Sequence, residues 1–331
     1  MERGRSTPSA VVGAPIVVTL ARHAMATRFE LVLVGADEGY LRAAGEEALD
    51  EIERLEGQLS RFRPESEISG INAHAAERPV VMEPQLFALL ERAQALAAAT
   101  DGAFDPTMAP LWQCWNAAAD ERPAAAALAA ARARVGIDGV ILDPVARAIR
   151  FPCAGMALDL GAIGKGYAID RAIGLLRQTG IAVALLHGGT STAYGLGAPP
   201  GAAGWRVAVR DPVAGEWLLT SVVLRDRALS VSAGHGRRLG TAGDGVPHVI
   251  DPRSGEPVTA NLLAAVVAPS ATDADALSTA VLGLGEAGLA RIVDATGERG
   301  ALVVARGGDG ETRVHALGWP GVVPENAATG G

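Results

Sequence analysis

The chain has 331 residues, of which 49% are hydrophobic and 20% charged, a balance that suits a core-forming globular protein and excludes a disordered one. Its 29 Lys and Arg stand against 37 Asp and Glu, a formal charge of −8; with no basic run, the electrostatic footprint of a nucleic-acid binder is missing. Two cysteines, Cys114 and Cys153, cannot make a disulfide framework and lack zinc spacing, so both read as buried apolar residues.

In chain order, residues 1–20 carry early arginines and apolar runs too short for a membrane span or a signal core. They are expected to be flexible, and the protein to be cytoplasmic with no membrane span. In "ATRFELVLVGAD", Phe29, Leu31 and Leu33 alternate with polar residues as in a strand with one buried face. Leu41, Ala44, Ala48, Ile52, Leu55 and Leu59 then recur at helical spacing, predicting a helix from Asp37 to Ser60. A second helix is predicted from Pro84 to Thr100, and a short Ala-rich one between Pro123 and Val135.

Further on, "VILDPVARAIRF" predicts two strands joined by an Asp-Pro turn, and "IAVALLH", "WRVAVRDP", "WLLTSVVLRD", "RALSVSAG" and "LLAAVVA" predict a series of strands. The last leads into "TDADALSTAVLGLG", a helix starting at Thr272 or Asp273 and ending at Gly283 or Gly285. No linker, repeat or composition break appears, so 21–318 is expected to be a single α+β domain with mixed sheets, and 319–331 a loose tail.

Five stretches carry possible chemistry. In "LDLGAIGKGYAID" three glycines bare the backbone, Lys165 adds a cation, and a helix begins near Tyr167: the makings of an anion site, or simply a tight turn with a surface lysine. Asp275 and Thr279 share one helical face and offer hard oxygen ligands for a cation such as Mg²⁺. Alternatively, the Asp serves the helix dipole as an outward-facing acid, removable without unfolding. "TDGAFDPTMAPL" sets Phe104 beside Asp105, either to cover a heterocycle or to plug the core. His248 in "HVIDPRSGEP" is a candidate base among several histidines, including His187. In "LSRFRPESEISGIN", Phe62 lies between Arg61 and Arg63, a nucleotide grip or a solvated turn.

Each stretch is weak alone. Their order and spacing, together with "AMATRF", resemble the ApbE family of FAD:protein FMN transferases over roughly Met25 to Gly285. The resemblance implies an ApbE-like α+β fold with two lobes around a central nucleotide cleft. It also implies a Mg²⁺-dependent enzyme that takes FAD as substrate, attaches FMN to a Thr or Ser of an acceptor flavoprotein, and releases AMP. By matching position, Asp275 and Thr279 are implied as side-chain metal ligands, with the carbonyls of Ala162 and Ser278 beside them. Met25, Phe62, Ala103, Phe104, Asp105, Asp159, Lys165 and Ile250 match FAD-contacting positions, and His248 the position of the base. Two departures stand out: Phe62 where the family commonly has Tyr, and "HGGTST", which loses an acid. Two other functions stay open, an FAD pyrophosphatase that uses water and a flavin-binding protein without turnover.

Overall fold

A computed structural model describes residues 14–118, 121–213, 217–234, 238–239, 246–293, 297–307, 311–322 and 327–329. The elements in chain order are β1 (Ile16–Ala24), β2 (Thr27–Gly35), α1 (Glu38–Leu59), α2 (Glu67–His74), β3 (Val80–Val81), α3 (Pro84–Ala99), α4 (Ala109–Ala117) and α5 (Ala125–Arg132). They continue as β4 (Ile141–Asp143), β5 (Ala148–Arg150), α6 (Gly164–Gln178), β6 (Ala184–Gly188), β7 (Thr192–Leu196), β8 (Trp205–Arg210), β9 (Leu218–Leu224) and β10 (Arg227–Ala233). The remainder are β11 (Arg238–Leu239), β12 (Val246–Pro247), β13 (Asn261–Ala268), α7 (Ala271–Leu284), α8 (Leu289–Ile292), β14 (Gly300–Arg306), β15 (Thr312–Leu317) and β16 (Ala327–Thr329).

Nine strands form one sheet in the order β1-β2-β6-β7-β10-β13-β14-β15-β16. All its pairings are antiparallel except β15 with β16, so the sheet is mixed. Alternation sorts its two faces. Phe29, Leu31 and Leu33 of β2, with Ala184 and Leu186 of β6, turn toward α1, α6 and α7 and share one continuous apolar core with them. Ala193, Leu229, Leu263 and Ala265 point the other way, onto the β8–β9 hairpin, in a second core. The expected α+β fold with mixed sheets is what the chain adopts.

Local chemistry sets the helix limits. Asp37 caps α1 by accepting from the Tyr40 amide, and Ser60 closes it, matching the limits expected from Asp37 to Ser60. Helix α7 starts one residue before the expected Thr272, because Ser270 is its cap and accepts from the Asp273 amide; Gly285 ends it with φ 65°. Helix α6 likewise starts at Gly164 rather than near Tyr167, which puts Lys165 inside its first turn.

Both expected chain ends need correction. Strand β1 begins at Ile16 and pairs with β2 along its length, so residues 16–20 of the segment expected to be flexible belong to the sheet. At the other end Trp319 packs on the second core, Thr220 donates to the Val322 carbonyl, and β16 adds to the sheet edge, so this part of 319–331 is not a loose tail. Neither change is visible as a strong local period. The two cysteines are half-buried rather than buried, Cys114 in a satellite core and Cys153 against the main one. Among the described residues no helix is long and apolar enough to cross a membrane.

Candidate active site

The contact between α6 and α7 organises the site. An added Cβ at Gly166 would stand 2.1 Å from the Ala271 carbonyl oxygen, so only glycine lets the two helices approach this closely. That approach brings Asp275 of α7 against the first turn of α6. The Gly166 amide donates to Asp275 Oδ2 at 3.0 Å, and Lys165 Nζ lies 3.5 Å from Asp275 Oδ1. Thr192 Oγ1 and Ser230 Oγ each reach Asp275 Oδ1 at 3.4 Å from the sheet below.

Asp275 is therefore only 3% exposed, not the outward-facing first-turn acid that its sequence position allowed. One turn on, Ser232 Oγ bonds Ser278 Oγ at 2.8 Å and Thr279 Oγ1 at 3.2 Å. The hydroxyls of Ser278 and Thr279 also donate to the Asp275 carbonyl. Asp275, Ser278 and Thr279 are thus brought together, on a bed of strand hydroxyls.

From Lys165 the contacts continue into the glycine turn. Its Nζ donates to the Gly161 carbonyl at 3.2 Å, next to Ala162, and the Gly161 amide donates to Asp159 Oδ1 at 2.9 Å. Asp159 Oδ2 in turn lies 2.7 Å from Arg61 Nε, and the Arg61 guanidinium carbon stands 4.1 Å over the Phe62 ring and 4.3 Å over the Trp112 ring. An unbroken chain of contacts thus joins an aromatic rim to a buried carboxylate. Phe62 is 71% exposed, as a stacking surface requires.

The other stretches border this chain by their backbone. The Asp159 amide donates to the Pro106 carbonyl, a bridge pairs Met108 with Ala157, and Asn72 holds both the amide and the carbonyl of Leu158. Phe104, however, is buried in the main core together with Ala103, so its ring packs in the interior. Asp105 is likewise turned inward: it accepts from the Thr107 amide and hydroxyl and from the Ile137 amide. Burial pushes its carboxyl above the ordinary aspartate range, against those three donors. Ile250 buries its side chain with Leu111, Trp115 and Leu128, leaving its main chain as what it can offer outward.

His248 is half-buried and follows β12 directly. Met25 is half-buried in the β1–β2 turn, where Met25 and Ala26 both adopt positive φ, at 50° and 57°. His187 is held by Glu30 Oε2 at 3.2 Å and lines a cavity of about 550 Å³ under β8. Strand alternation puts that cavity on the sheet face away from Asp275. Of "HGGTST", Thr192 is the residue whose hydroxyl reaches the site.

Sequence reasoning missed Thr192, Ser230, Ser232 and Asp170. The signal for the serines was present, since Ser230 and Ser232 alternate with Leu229 and Val231 in a central strand where one face should be apolar. Asp170 had no local signal. It reaches from α6 to the start of α7 and accepts from the amides of Ala271 and Thr272 and the hydroxyls of Ser270 and Thr272.

The donors around Asp275 are oxygens: one carboxylate, the Ser and Thr hydroxyls, and nearby carbonyls. This hard set suits Mg²⁺, which is typically held by one or two carboxylates with substrate phosphates completing its shell. Among the described residues no group of three or more His, Cys, Asp or Glu is arranged for a metal, so a cation here would need that help from substrate.

Residues 25–303 match the model of the ApbE family. The chain belongs to that family. A FAD:protein FMN transferase of Klebsiella pneumoniae is 30% identical over 86% of this chain and 83% of its own length. One from Treponema pallidum is 35% identical over 74% of this chain and 72% of its own. The flavinyl transferase ApbE of Pseudomonas stutzeri, solved in its apo form, superposes with a TM-score of 0.79 at 27% identity, covering 92% of this chain and 95% of that one. The match begins at Met25 and so leaves β1 outside the ApbE family model, although this strand is part of the sheet.

Proposed function

We propose that this member of the ApbE family is a FAD:protein FMN transferase. The acceptor's Thr or Ser hydroxyl attacks the FMN phosphorus of FAD, a phosphoester forms, and the anhydride bond to AMP breaks. AMP leaves with the bridging oxygen. The observation that carries this reading is the junction of Lys165, Gly166 and Asp275, where a helix start, a cation and a buried carboxylate meet around a glycine turn.

A diphosphate and an incoming hydroxyl repel each other's electrons unless positive charge is fixed nearby. Lys165, already 3.2 Å from the Gly161 carbonyl, is placed to supply that charge at the turn. Asp275 and Thr279, with the carbonyls of Ala162 and Ser278, would hold Mg²⁺. Held there, the ion would add positive charge at the phosphates and for the departing AMP. Phe62 offers its exposed ring to a flat ring of the dinucleotide, and His248 would accept the proton from the attacking hydroxyl.

The test mixes the full chain with FAD, MgCl₂ and a flavoprotein carrying an acceptor threonine. The expected result is a covalently fluorescent acceptor heavier by the FMN mass, with AMP released in equal amount. Release of FMN and AMP without acceptor, at a rate that added acceptor does not raise, would instead identify a pyrophosphatase. Tight FAD binding with no AMP would identify a carrier.

A further inference from the structure

The Arg61 side chain is 10% exposed and its guanidinium lies against three groups: the Phe62 ring, the Trp112 ring and the Asp159 carboxylate. The contact to Asp159 is an ion contact in which the buried Nε–H is not aligned on the oxygen. Arg61 is therefore held less by hydrogen bonding than by two aromatic faces and a charge. A planar cation shielded from water between two rings is the arrangement in which cation–π attraction is strongest, and a guanidinium fits it better than an ammonium.

The three partners come from separate parts of the chain. Phe62 follows α1, Trp112 lies on α4 and Asp159 opens the glycine turn. The two rings meet edge to face, with centroids 6.3 Å apart and planes at 74°. Phe62 itself has little else to hold it, being 71% exposed and outside the buried clusters. An aromatic ring in water at a loop start would sample several rotamers and lose that freedom on stacking a ligand.

We propose that Arg61 is a positioning residue for the dinucleotide, preorganising Phe62 against Trp112 and fixing Asp159 at the head of the glycine turn. Trp112 is the fixed wall, since it packs on the satellite core with Leu111 and Trp115. Arg61 carries that fixity to Phe62 and to Asp159. Its effect falls on binding and not on the chemical step, because it touches none of the groups assigned to the phosphates. The inference rests on FAD being the substrate.

The experiment measures FAD affinity by calorimetry and KM and kcat for FMN transfer in wild type, Arg61→Ala, Arg61→Lys, Trp112→Ala and the double variant. Arg61→Ala is expected to weaken FAD binding and raise KM by roughly 5- to 30-fold with kcat within about twofold. Arg61→Lys should fall between it and wild type, because a lysine keeps the charge but not the flat fork. Trp112→Ala should weaken binding on its own, yet add less than about twofold to Arg61→Ala, since both act through one contact.

Affinity within twofold of wild type in Arg61→Ala, a loss confined to kcat, or multiplying effects in the double variant would overturn the proposal. If Arg61→Ala loses its cooperative melt, the same cycle with Arg61→Lys in its place decides. Absence of FMN transfer by the wild type would defeat the transferase reading and leave the calorimetric comparison to judge Arg61 separately.

Discussion

The Gly166 amide donates to Asp275 Oδ2 at 3.0 Å at the point where α6 and α7 come closest. One contact thus serves both the fold and the proposed chemistry. A methyl group at residue 166 would have to push the Ala271 backbone aside. Gly166→Ala is expected to destabilise the protein by about 3 kcal/mol or more, in the range of severe overpacking, and to weaken FAD binding with it. Urea unfolding and FAD titration of the same sample check both; unchanged stability would mean that the helices separate freely.

Asp275 is buried beneath three donors besides Lys165, so its removal has two consequences. Asp275→Ala leaves the Gly166 amide and the hydroxyls of Thr192 and Ser230 short of an acceptor, a cost of about 1–3 kcal/mol. Asp275→Asn keeps the volume and one acceptor oxygen. It should melt closer to wild type while losing FMN transfer by at least two orders of magnitude, the scale of removing one electrostatic stabiliser. Wild-type transfer by Asp275→Asn would end its assignment to the phosphates and Mg²⁺.

Phe62 separates binding from stability. Exposed as it is, Phe62→Ala should change the unfolding free energy by no more than about 0.5 kcal/mol. Loss of a stacking face costs about 1–3 kcal/mol per base, so KM for FAD should rise by one to two orders of magnitude at most. Steady-state kinetics beside a denaturation curve make the comparison. A stability loss without a KM change would place the ring in the fold instead.

Asp105 predicts a pH dependence of stability. Its folded carboxyl is raised by burial, whereas in the unfolded chain it titrates near 3.9. Between these values the native state binds more protons than the unfolded one, so this group's contribution is full below about pH 4 and is lost as pH rises through the folded value. The stability of wild type relative to Asp105→Asn should therefore decline over that rise. Urea midpoints at half-unit steps from about pH 4 upward give the sign, and a difference that grows with pH would reverse the assignment.

Much of this was legible in the sequence wherever one period ran unopposed. Helix α1 announced itself by its apolar spacing and its Asp37 and Ser60 limits, and β4 and β5 by the Asp-Pro turn between them. Helices α2 and α4 did not, because α2 shows its Ser66 cap but buries only Ile68 and Ile71, while α4 has no side-chain cap. Within the site, residue types singled out Asp275, Thr279 and Lys165, and the fold gathers these three at one junction. Direction was what sequence did not carry. Phe104, Asp105 and Ile250 lie in stretches that the sequence singled out, yet packing turns their side chains inward. Asp170, Thr192 and Ser230 reach Asp275 or its helix across more than forty residues of chain, a distance no local pattern spans.

Two helices begin side by side, and they do not begin alike. At α7, Asp170 already takes the amides of Ala271 and Thr272, so that end arrives neutralised from within the molecule. At α6, Ile163 holds the cap position without a side-chain oxygen, and Lys165 follows at once. Each start is thus met by a carboxylate of the other helix, Asp170 at α7 and Asp275 at α6, but at α6 that acid faces Lys165, which sets the positive charge offered to a diphosphate on the α6 side.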